Sequence, residues 1–478
     1  MSMIKVLLLG LVLAACGGGP KDTIEQLQDP STCKECHPKH YQQWSGSMHA
    51  YASDDPVFIA MNKRGQRETS NQLGTFCVQC HAPMAVKLGL ITADSAKDFD
   101  PAALPPTARG ITCYFCHNVA SVADTHNNGL VLAMDDVMRG GAKNPIDSPA
   151  HNSAHDPAMA GLTNNSTMCG SCHDVVTPRG VALERTFSEW RTTIFKEVDP
   201  TPGSGLPLTC SNCHMTATTD VIADKPGLNV GARSYGFHDH GFPGIDQALT
   251  DFPETMAQLD GINAILKPAV AIKGAMPRSG PQPGGICVEP QMGGQITVRM
   301  DTFNVGHMFP SGAAQDRRAW LEVKAYDASN VLVFSSGVTP DGMDPDDLGD
   351  PLKGFFWDRT FKDDMSPAHF FWDVASYTSF LLKPPITRVS TDVGYDHSTT
   401  SVFSVGALLP NIAVITARIR ILPVAYSVLD QLIMSGDLDP SIRSKMKVLD
   451  TQAPVAVWTK ATQDPVTRCN PFPSPTPP

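Results

Sequence analysis

Beyond its first residues, the 478-residue sequence lacks any apolar run long enough to span a bilayer. Any route across a membrane must therefore come from another protein. Basic residues are also in deficit, since 37 Lys and Arg stand against 48 Asp and Glu and give a formal net charge of −11. A surface this acidic repels nucleic acid and anionic lipid headgroups, and it favours basic or cationic partners.

Residues 31–250 lack sustained helical or strand periodicity. They are rich in Gly, Pro, Asn and Asp, which favour turns. A peptide of this kind cannot build an ordinary apolar core from its own side chains. Another chemical group must therefore supply the interior.

This stretch contains five copies of Cys-x-x-Cys-His, the attachment motif of c-type haem. They are Cys33, Cys36 and His37; Cys77, Cys80 and His81; Cys113, Cys116 and His117; Cys169, Cys172 and His173; and Cys210, Cys213 and His214. The cysteine spacing places both sulfurs against the two vinyl groups of one porphyrin, and the histidine becomes the proximal iron ligand. Zinc sites also use cysteine pairs, but they do not need a histidine after every pair. The pattern predicts a pentahaem cytochrome in which closely packed porphyrins form the interior and conduct electrons.

The first 15 residues are typical of a lipoprotein signal peptide, with one lysine before a short apolar run. Residues 13–16, Leu-Ala-Ala-Cys, resemble a lipobox, so we expect Cys16 to be lipidated and residues 16–30 to form a tether. The alternative is an ordinary cleaved signal with a spare cysteine. Because Gly17 follows the cysteine, we expect an exported lipoprotein of the outer membrane, at its periplasmic or cell-surface face.

The cysteine count predicts one disulfide. Thirteen cysteines, less ten for haem and one for lipid, leave Cys287 and Cys469. Both lie outside the haem motifs of an exported chain, so we expect them to be bonded to each other.

The character of the sequence changes after the fifth motif. Residues 251–283 form a connector with one amphipathic stretch. Alternating, β-branched strand patterns at residues 284–467 predict an antiparallel β-sandwich with one helix near residues 424–434. A proline-rich tail follows at 468–478. The expected fold is multidomain: a haem-packed, loop-rich, mainly α-helical or irregular cytochrome domain at residues 31–250, followed by an all-β sandwich.

The haem region contains four further distinctive stretches, at residues 33–49, 110–117 (Gly-Ile-Thr-Cys-Tyr-Phe-Cys-His), 148–155 and 184–190 (Glu-Arg-Thr-Phe-Ser-Glu-Trp). They resemble multihaem cytochromes related to hydroxylamine oxidoreductase and to the tetrahaem cytochrome that accepts its electrons. Residues 304–312, Asn-Val-Gly-His-Met-Phe-Pro-Ser-Gly, resemble a C-terminal sandwich found on some such cytochromes. The resemblance implies a multihaem fold over most of residues 31–245.

Ten histidines lie outside the motifs and are available for five distal iron positions. A haem iron bound by two histidines lacks the methionine ligand that raises the reduction potential, so we expect electron transfer at low reduction potential. Matched by position, the resemblance implies distal roles for His49, His151, His240 and His307. The last of these would join the sandwich to the haem region.

Several alternatives remain for these ligands. His155 is an alternative to His151, His238 is an alternative to His240, and His307 could be a turn histidine inside the sandwich. His126 suits the fifth distal position by its location, with Met84 and His40 as substitutes. His369 and His397 have no motif around them and are expected at the surface.

These features predict an electron carrier that relays electrons between the periplasm and the cell surface. Its expected partners are other redox proteins, namely periplasmic or outer-membrane cytochromes or a porin–cytochrome conduit, together with the membrane that holds the lipid anchor. One alternative is an oxidoreductase acting on nitrite or hydroxylamine at one open haem. Pentahaem nitrite reductases mark that haem with lysine in place of the motif histidine, which does not occur here. A second alternative is a subunit of a cytochrome filament.

Overall fold

The computed structural model describes residues 21–141, 145, 150–155, 162–196, 208–226, 230–275, 282–351, 354–451 and 455–473. The signal peptide, Cys16 and the end of the tail lie outside the described residues. No helix in the described ranges is long and apolar enough to cross a membrane.

Short helices joined by irregular loops make up most of the haem region. The helices are α1 (Ile24–Gln28), α2 (Pro30–Lys34), α3 (Pro38–Ser45), α4 (Met48–Tyr51), α5 (Pro56–Glu68), α6 (Val78–His81), α7 (Pro83–Lys87), α8 (Cys113–His117), α9 (Leu162–His173), α10 (Thr186–Trp190) and α11 (Cys210–His214). The motif histidines end α6, α8, α9 and α11. Helical positions i, i+3 and i+4 share one face, so each of these helix ends directs its motif side chains to the same side.

A proline closely follows two of the five motifs. Pro38 and Pro83 each begin a helix, α3 and α7, just after a motif. The residues before them, His37 and Ala82, have non-helical backbone angles of φ −120°, ψ 53° and φ −144°, ψ 62°. Proline excludes the preceding residue from the α region and is well tolerated at the first helical position. The chain therefore leaves the helical conformation at the motif histidine or at the residue directly after it.

The strands of the haem region are short and pair two by two. They are β1 (Val119–Val122) with β2 (Leu130–Leu132), β3 (Val137–Gly140) with β4 (Asn152–His155), β5 (Asp174–Val176) with β6 (Ala182–Arg185), and β7 (Ala217–Asp220) with β8 (Arg233–His238). The β3–β4 pair is parallel and the other three are antiparallel.

Two apolar clusters within the described part of the haem region are made of protein side chains alone, contrary to the expectation that it has none. The buried members of the larger include Phe58, Met84 and Phe99, and those of the smaller include Phe187 and Trp190. The fully buried Met84 does not line the cavity described below.

The second part of the chain is rich in antiparallel strands. Its elements are α12 (Thr255–Ala269), β9 (Ala271–Ile272), β10 (Pro283–Glu289), β11 (Gln295–Asp301), β12 (Arg318–Asp327), β13 (Leu332–Ser336), β14 (Phe355–Phe356), β15 (Asp358–Phe361), β16 (Ser376–Ser379), β17 (Thr399–Ser404), β18 (Ile412–Leu422), α13 (Tyr426–Met434), β19 (Leu449–Asp450), β20 (Ala456–Thr459) and β21 (Cys469–Pro471). Strand β9 lies in the expected connector and β21 in the expected tail.

Two sheets of this part pack on a common core. One has the order β17-β11-β10-β21 with β9 beside β11, and the other has the order β13-β12-β18-β19 with β14 and β20 added. Strand β18 buries Ile415, Ala417, Ile419 and Ile421, the period of two expected for a strand with one core face. They join buried residues of the facing sheet, such as Ile296, in one cluster. The predicted fold class is confirmed.

A further apolar cluster joins the two parts of the chain. Val57 and Leu73, from the haem region, pack in it with Trp320 and Leu429 of the second part. Polar contacts border it: Arg67 forms a bidentate pair with Asp437 at 2.7 and 2.6 Å, and Trp372 Nε1 donates to Glu68 Oε2 at 2.9 Å. Because they share buried apolar surface, the two parts stabilise each other.

The disulfide gives a stability prediction. Cys287 and Cys469 are bonded between β10 and β21, across a sequence separation of 182 residues. Closing so long a loop restricts the unfolded chain, so Cys287→Ala with Cys469→Ala should lower the free energy of unfolding by about 2–4 kcal/mol. Denaturant unfolding followed by circular dichroism measures this change. Neither cysteine lines the cavity described below, so the double substitution should leave the visible absorption spectrum of the folded protein unchanged, which is the internal control. An unchanged denaturation midpoint would contradict the prediction.

Candidate functional site

A continuous cavity of about 2470 Å³ runs through the haem region. All of the motif cysteines and motif histidines line it. Typical sites for a single small molecule or cofactor measure roughly 300–1,000 Å³, so this cavity has room for several such groups. The five motifs therefore open into a shared interior.

Histidines from outside the motifs face four of the motif histidines. The ring centroids are 6.3 Å apart for His37 and His151, for His173 and His49, and for His117 and His240; they are 6.4 Å apart for His214 and His307. The bond from a metal ion to a histidine nitrogen is about 2 Å long, as in zinc sites. The centroids of two imidazole rings bound on opposite sides of one metal ion are therefore roughly 6 Å apart. Each pair is therefore spaced to hold one metal ion between its rings.

The ring nitrogens are oriented for this role. Nδ1 of three motif histidines lies 2.6 to 2.8 Å from a main-chain carbonyl oxygen: His37 from Ile222, His117 from Arg139, and His214 from Pro243. A carbonyl can only accept, so Nδ1 donates and carries the proton. The neutral ring then presents an unprotonated Nε2, the arrangement usual in metal-binding histidines.

The facing histidines follow the same rule. Nδ1 of His240 donates to the carbonyl oxygen of His238 at 2.8 Å, and Nδ1 of His307 donates to that of Met308 at 2.7 Å. Nδ1 of His151 lies 3.1 Å from the carbonyl oxygen of Asn152. Main-chain carbonyl groups therefore fix the orientation of histidine rings on both sides of the cavity.

Burial keeps these imidazoles neutral. Together with the smaller effect of neighbouring histidines, it lowers the pKa of His49 to about 3, that of His173 to about 4 and that of His240 to about 3. Neutral imidazole is the form that binds metal, so the cavity favours the ligand state at any physiological pH.

His81 is the exception among the motif histidines. Nδ1 of His81 lies 3.1 Å from the carbonyl oxygen of Ala52, but its ring stacks on Phe58 at 4.1 Å with an interplanar angle of 1°. Among the described residues, no ring contact pairs His81 with another histidine. The second motif therefore differs from the other four in that no facing histidine is found within the described part of the chain.

The position of His126 does not support its expected role as the fifth distal ligand. It follows the end of β1 and does not line the cavity. Its Nε2 lies 3.3 Å from Asp124 Oδ1. Proximity to a motif in sequence was a poor guide here, because the turn after β1 carries His126 away from the interior.

The remaining histidines divide into two groups. His40 and His238 also line the cavity: the His40 ring lies 5.9 Å from that of His37 at an angle of 68° and stacks on Phe237 at 4.2 Å, and Nδ1 of His238 donates to the carbonyl oxygen of Met215 at 3.0 Å. The others, His155, His369 and His397, do not line the cavity.

Thiols of different motifs contact each other. Cys33 hydrogen-bonds to Cys113, Cys169 to Cys210, and Cys172 to Cys80. The first motif therefore lies beside the third, and the fourth lies beside both the second and the fifth. Groups attached at these positions would be close neighbours, as electron hopping requires.

Carboxyl groups occupy one side of the cavity. Burial raises the pKa of Glu184 to about 7 and that of Asp316 to about 6. Between them Arg317 forms a bidentate pair with Asp246 at 2.9 and 3.0 Å. This side therefore carries less negative charge near neutral pH than its acid count suggests.

A comparison with protein-family models agrees with this site. Residues 32–118 match the model described as cytochrome c554 and c-prime, and that segment holds three of the five motifs. Over this segment the chain is similar to multihaem c-type cytochromes.

Among solved structures, the chain is similar to a penta-haem cytochrome c552 from Thermochromatium tepidum. The TM-score is 0.57 at 17% sequence identity, over 91% of this chain and 99% of the other. At this identity the likeness concerns the fold, which the two chains share over nearly their whole length. No curated protein sequence matches the chain.

The sequence analysis missed two features of the site. No sequence pattern marked Phe58 as part of the site, because an aromatic residue within a helix resembles any core residue. The main-chain carbonyls that accept from the histidines have no side-chain signature at all. Both depend on which segments meet in space.

The two neighbouring histidines His238 and His240 allow a matched test. His240→Ala removes the ring that faces His117. In the haem-loaded protein, one haem should therefore change from low-spin to high-spin, as measured by electron paramagnetic resonance. His238→Ala is the control and should leave the spin states as in the wild type. Equal effects of the two variants would contradict the assignment of His240.

Proposed function

We propose that the cytochrome carries five covalently bound haem c groups and transfers electrons along them. The observation that carries this proposal is the set of four histidine pairs, each spaced 6.3–6.4 Å, within one cavity that all five motifs line. Bound haem supplies reversible one-electron chemistry at its iron. The similar fold of a penta-haem cytochrome supports the number of haems.

The protein side chains have separate tasks in this function. The ten motif cysteines attach the porphyrins as thioethers, and His37, His81, His117, His173 and His214 bind the proximal faces. His49, His151, His240 and His307 close the distal faces of four haems. The main-chain carbonyls hold the rings so that binding needs no reorientation. Two imidazole ligands and no methionine favour a low reduction potential.

The proposed location rests on the sequence. Lipidation of Cys16 would anchor the cytochrome to the outer membrane, and an acidic surface suits basic regions on partner redox proteins. The function we infer is therefore a step in electron transfer between the periplasm and the cell surface. Its partners would be periplasmic or outer-membrane cytochromes, or a porin–cytochrome conduit.

Redox titration of the purified holoprotein tests the carrier function. We expect five haems per chain by mass, four of them low-spin, with reduction potentials below those of His/Met cytochromes because no thioether ligand is present. Rapid electron exchange with a low-potential donor should reduce all of them. A majority of high-spin haems, or haems that the donor cannot reduce, would contradict the proposal.

A second candidate function is reduction or oxidation of a small nitrogen compound at the second motif. It is favoured by the surroundings of His81, which faces no second histidine ring among the described residues, whereas each of the other motif histidines has a facing imidazole. A haem held by His81 alone would keep one face open to a small ligand such as nitrite or hydroxylamine. The protein around it would then bind and orient that ligand and exclude water.

Paired phenylalanine variants test this candidate. Phe58 lines the cavity beside His81, whereas Phe99 packs on it from within the larger apolar cluster of the haem region at 5.5 Å and does not line the cavity. Cyanide or nitric oxide should bind one haem per wild-type molecule, and Phe58→Leu should change the association rate several-fold. Phe99→Leu is the control for loosened packing and should leave that rate near the wild-type value. Absence of ligand binding together with no turnover of nitrite or hydroxylamine would exclude the enzyme function.

A further inference from the structure

His307 lies in a loop of the sandwich, between β11 and β12. Phe309, two residues later, is tied to the sandwich by two main-chain hydrogen bonds with Leu382, at 2.9 and 2.8 Å. This anchor fixes the loop on the side of its own domain. A second anchor is needed on the haem side, because His307 must stay opposite His214 in the other part of the chain.

Helix α10 of the haem region supplies that second anchor. Glu189 is only 6% exposed, and its Oε2 accepts from the main-chain N–H of Met308 at 3.2 Å and from the hydroxyl of Ser311 at 2.7 Å. Thr186 adds to the contact: its hydroxyl accepts from the N–H of Gly312 at 3.1 Å. The loop is thus bonded to α10 at the residue directly after His307 and again at its far end.

The same helix also holds the segment that leads to His214. Trp190 Nε1 donates to the carbonyl oxygen of Leu208 at 3.0 Å, two residues before the fifth motif begins at Cys210. Trp190 also lies against Gly306, where an added Cβ would sit 3.6 Å from its ring. One five-residue helix therefore contacts the approaches to both imidazoles of the pair.

A buried carboxylate at this position has nearby positive charge. Arg185 Nη2 lies 3.7 Å from Glu189 Oε1 and 2.8 Å from Asp358 Oδ2, and its guanidinium stacks on Tyr377 at 4.3 Å. These contacts hold the start of α10 against the sandwich. Glu189, in contrast, is the acidic residue that bonds directly to the loop carrying His307.

We propose that Glu189 is the positioning residue of the fifth haem: it holds His307 opposite His214 across the domain boundary and so keeps that haem six-coordinate. This inference rests on the proposed function, in which His214 and His307 bind one haem iron. It assigns Glu189 no contact with the haem itself.

The main test compares Glu189→Ala with His307→Ala in the holoprotein, read out by electron paramagnetic resonance. His307→Ala should raise the high-spin content from about one haem to about two per molecule, and added imidazole should reverse the change. Glu189→Ala removes the acceptor of two hydrogen bonds and should produce much of the same shift, also reversed by imidazole. Glu189→Gln should stay near the wild type, because an amide oxygen can still accept both bonds.

Glu68→Ala is the matched control. Glu68 also accepts a hydrogen bond across the same domain boundary, from Trp372, but it is remote in sequence from the loop that carries His307. It should leave the spin states unchanged. Equal shifts in Glu68→Ala and Glu189→Ala would indicate general loosening of the boundary and would overturn the inference.

The remaining outcomes separate the inference from the proposed function. If His307→Ala shifts the spin state and Glu189→Ala does not, the positioning role is wrong while the ligand pair stands. If His307→Ala causes no shift, the ligand pair itself is wrong, and the positioning role fails with it. Should Glu189→Ala fail to fold, Ser311→Ala removes one of the two donors and must give an intermediate shift; a wild-type spectrum would then refute the inference.

Discussion

The structure depends on the pairing of imidazole rings from distant parts of the chain. His37 faces His151, His117 faces His240 and His214 faces His307, each across 6.3–6.4 Å. Each bound to one metal ion, such pairs would tie together segments that are far apart in the sequence. A loop-rich peptide could then hold a defined shape, because the ligand pairs would add to what its own apolar clusters contribute.

The sandwich completes this arrangement rather than merely adjoining it. It contributes His307, and it shares an apolar cluster in which Leu73 packs with Trp320 and Leu429. An apolar contact and one pair of imidazole rings therefore cross the same boundary. Relative motion of the two parts would separate the two rings, so a rigid boundary is needed to keep His307 opposite His214.

Much of the fold and part of the site were predictable from sequence. The Cys-x-x-Cys-His spacing predicted fifteen residues that all line one cavity, because that motif is local. Alternation at residues 413–421 predicted a half-buried strand, which the structure has at Ile412–Leu422. The facing histidines were harder, since which ring meets His117 is decided by packing of segments more than 120 positions apart. Resemblance indicated His240, whose ring faces that of His117 at 6.3 Å. Position in sequence indicated His126, whose ring lies outside the cavity, since no local pattern shows where a turn directs the chain.

The use of main-chain carbonyls to orient the rings has an evolutionary consequence. His37, His117 and His214 donate to the backbone of Ile222, Arg139 and Pro243, so the side chains at those positions are not what the rings recognise. Substitution there can accumulate while each imidazole keeps its acceptor. A scaffold of this type can drift far in sequence and still retain its cofactor geometry, which fits a shared fold at 17% identity.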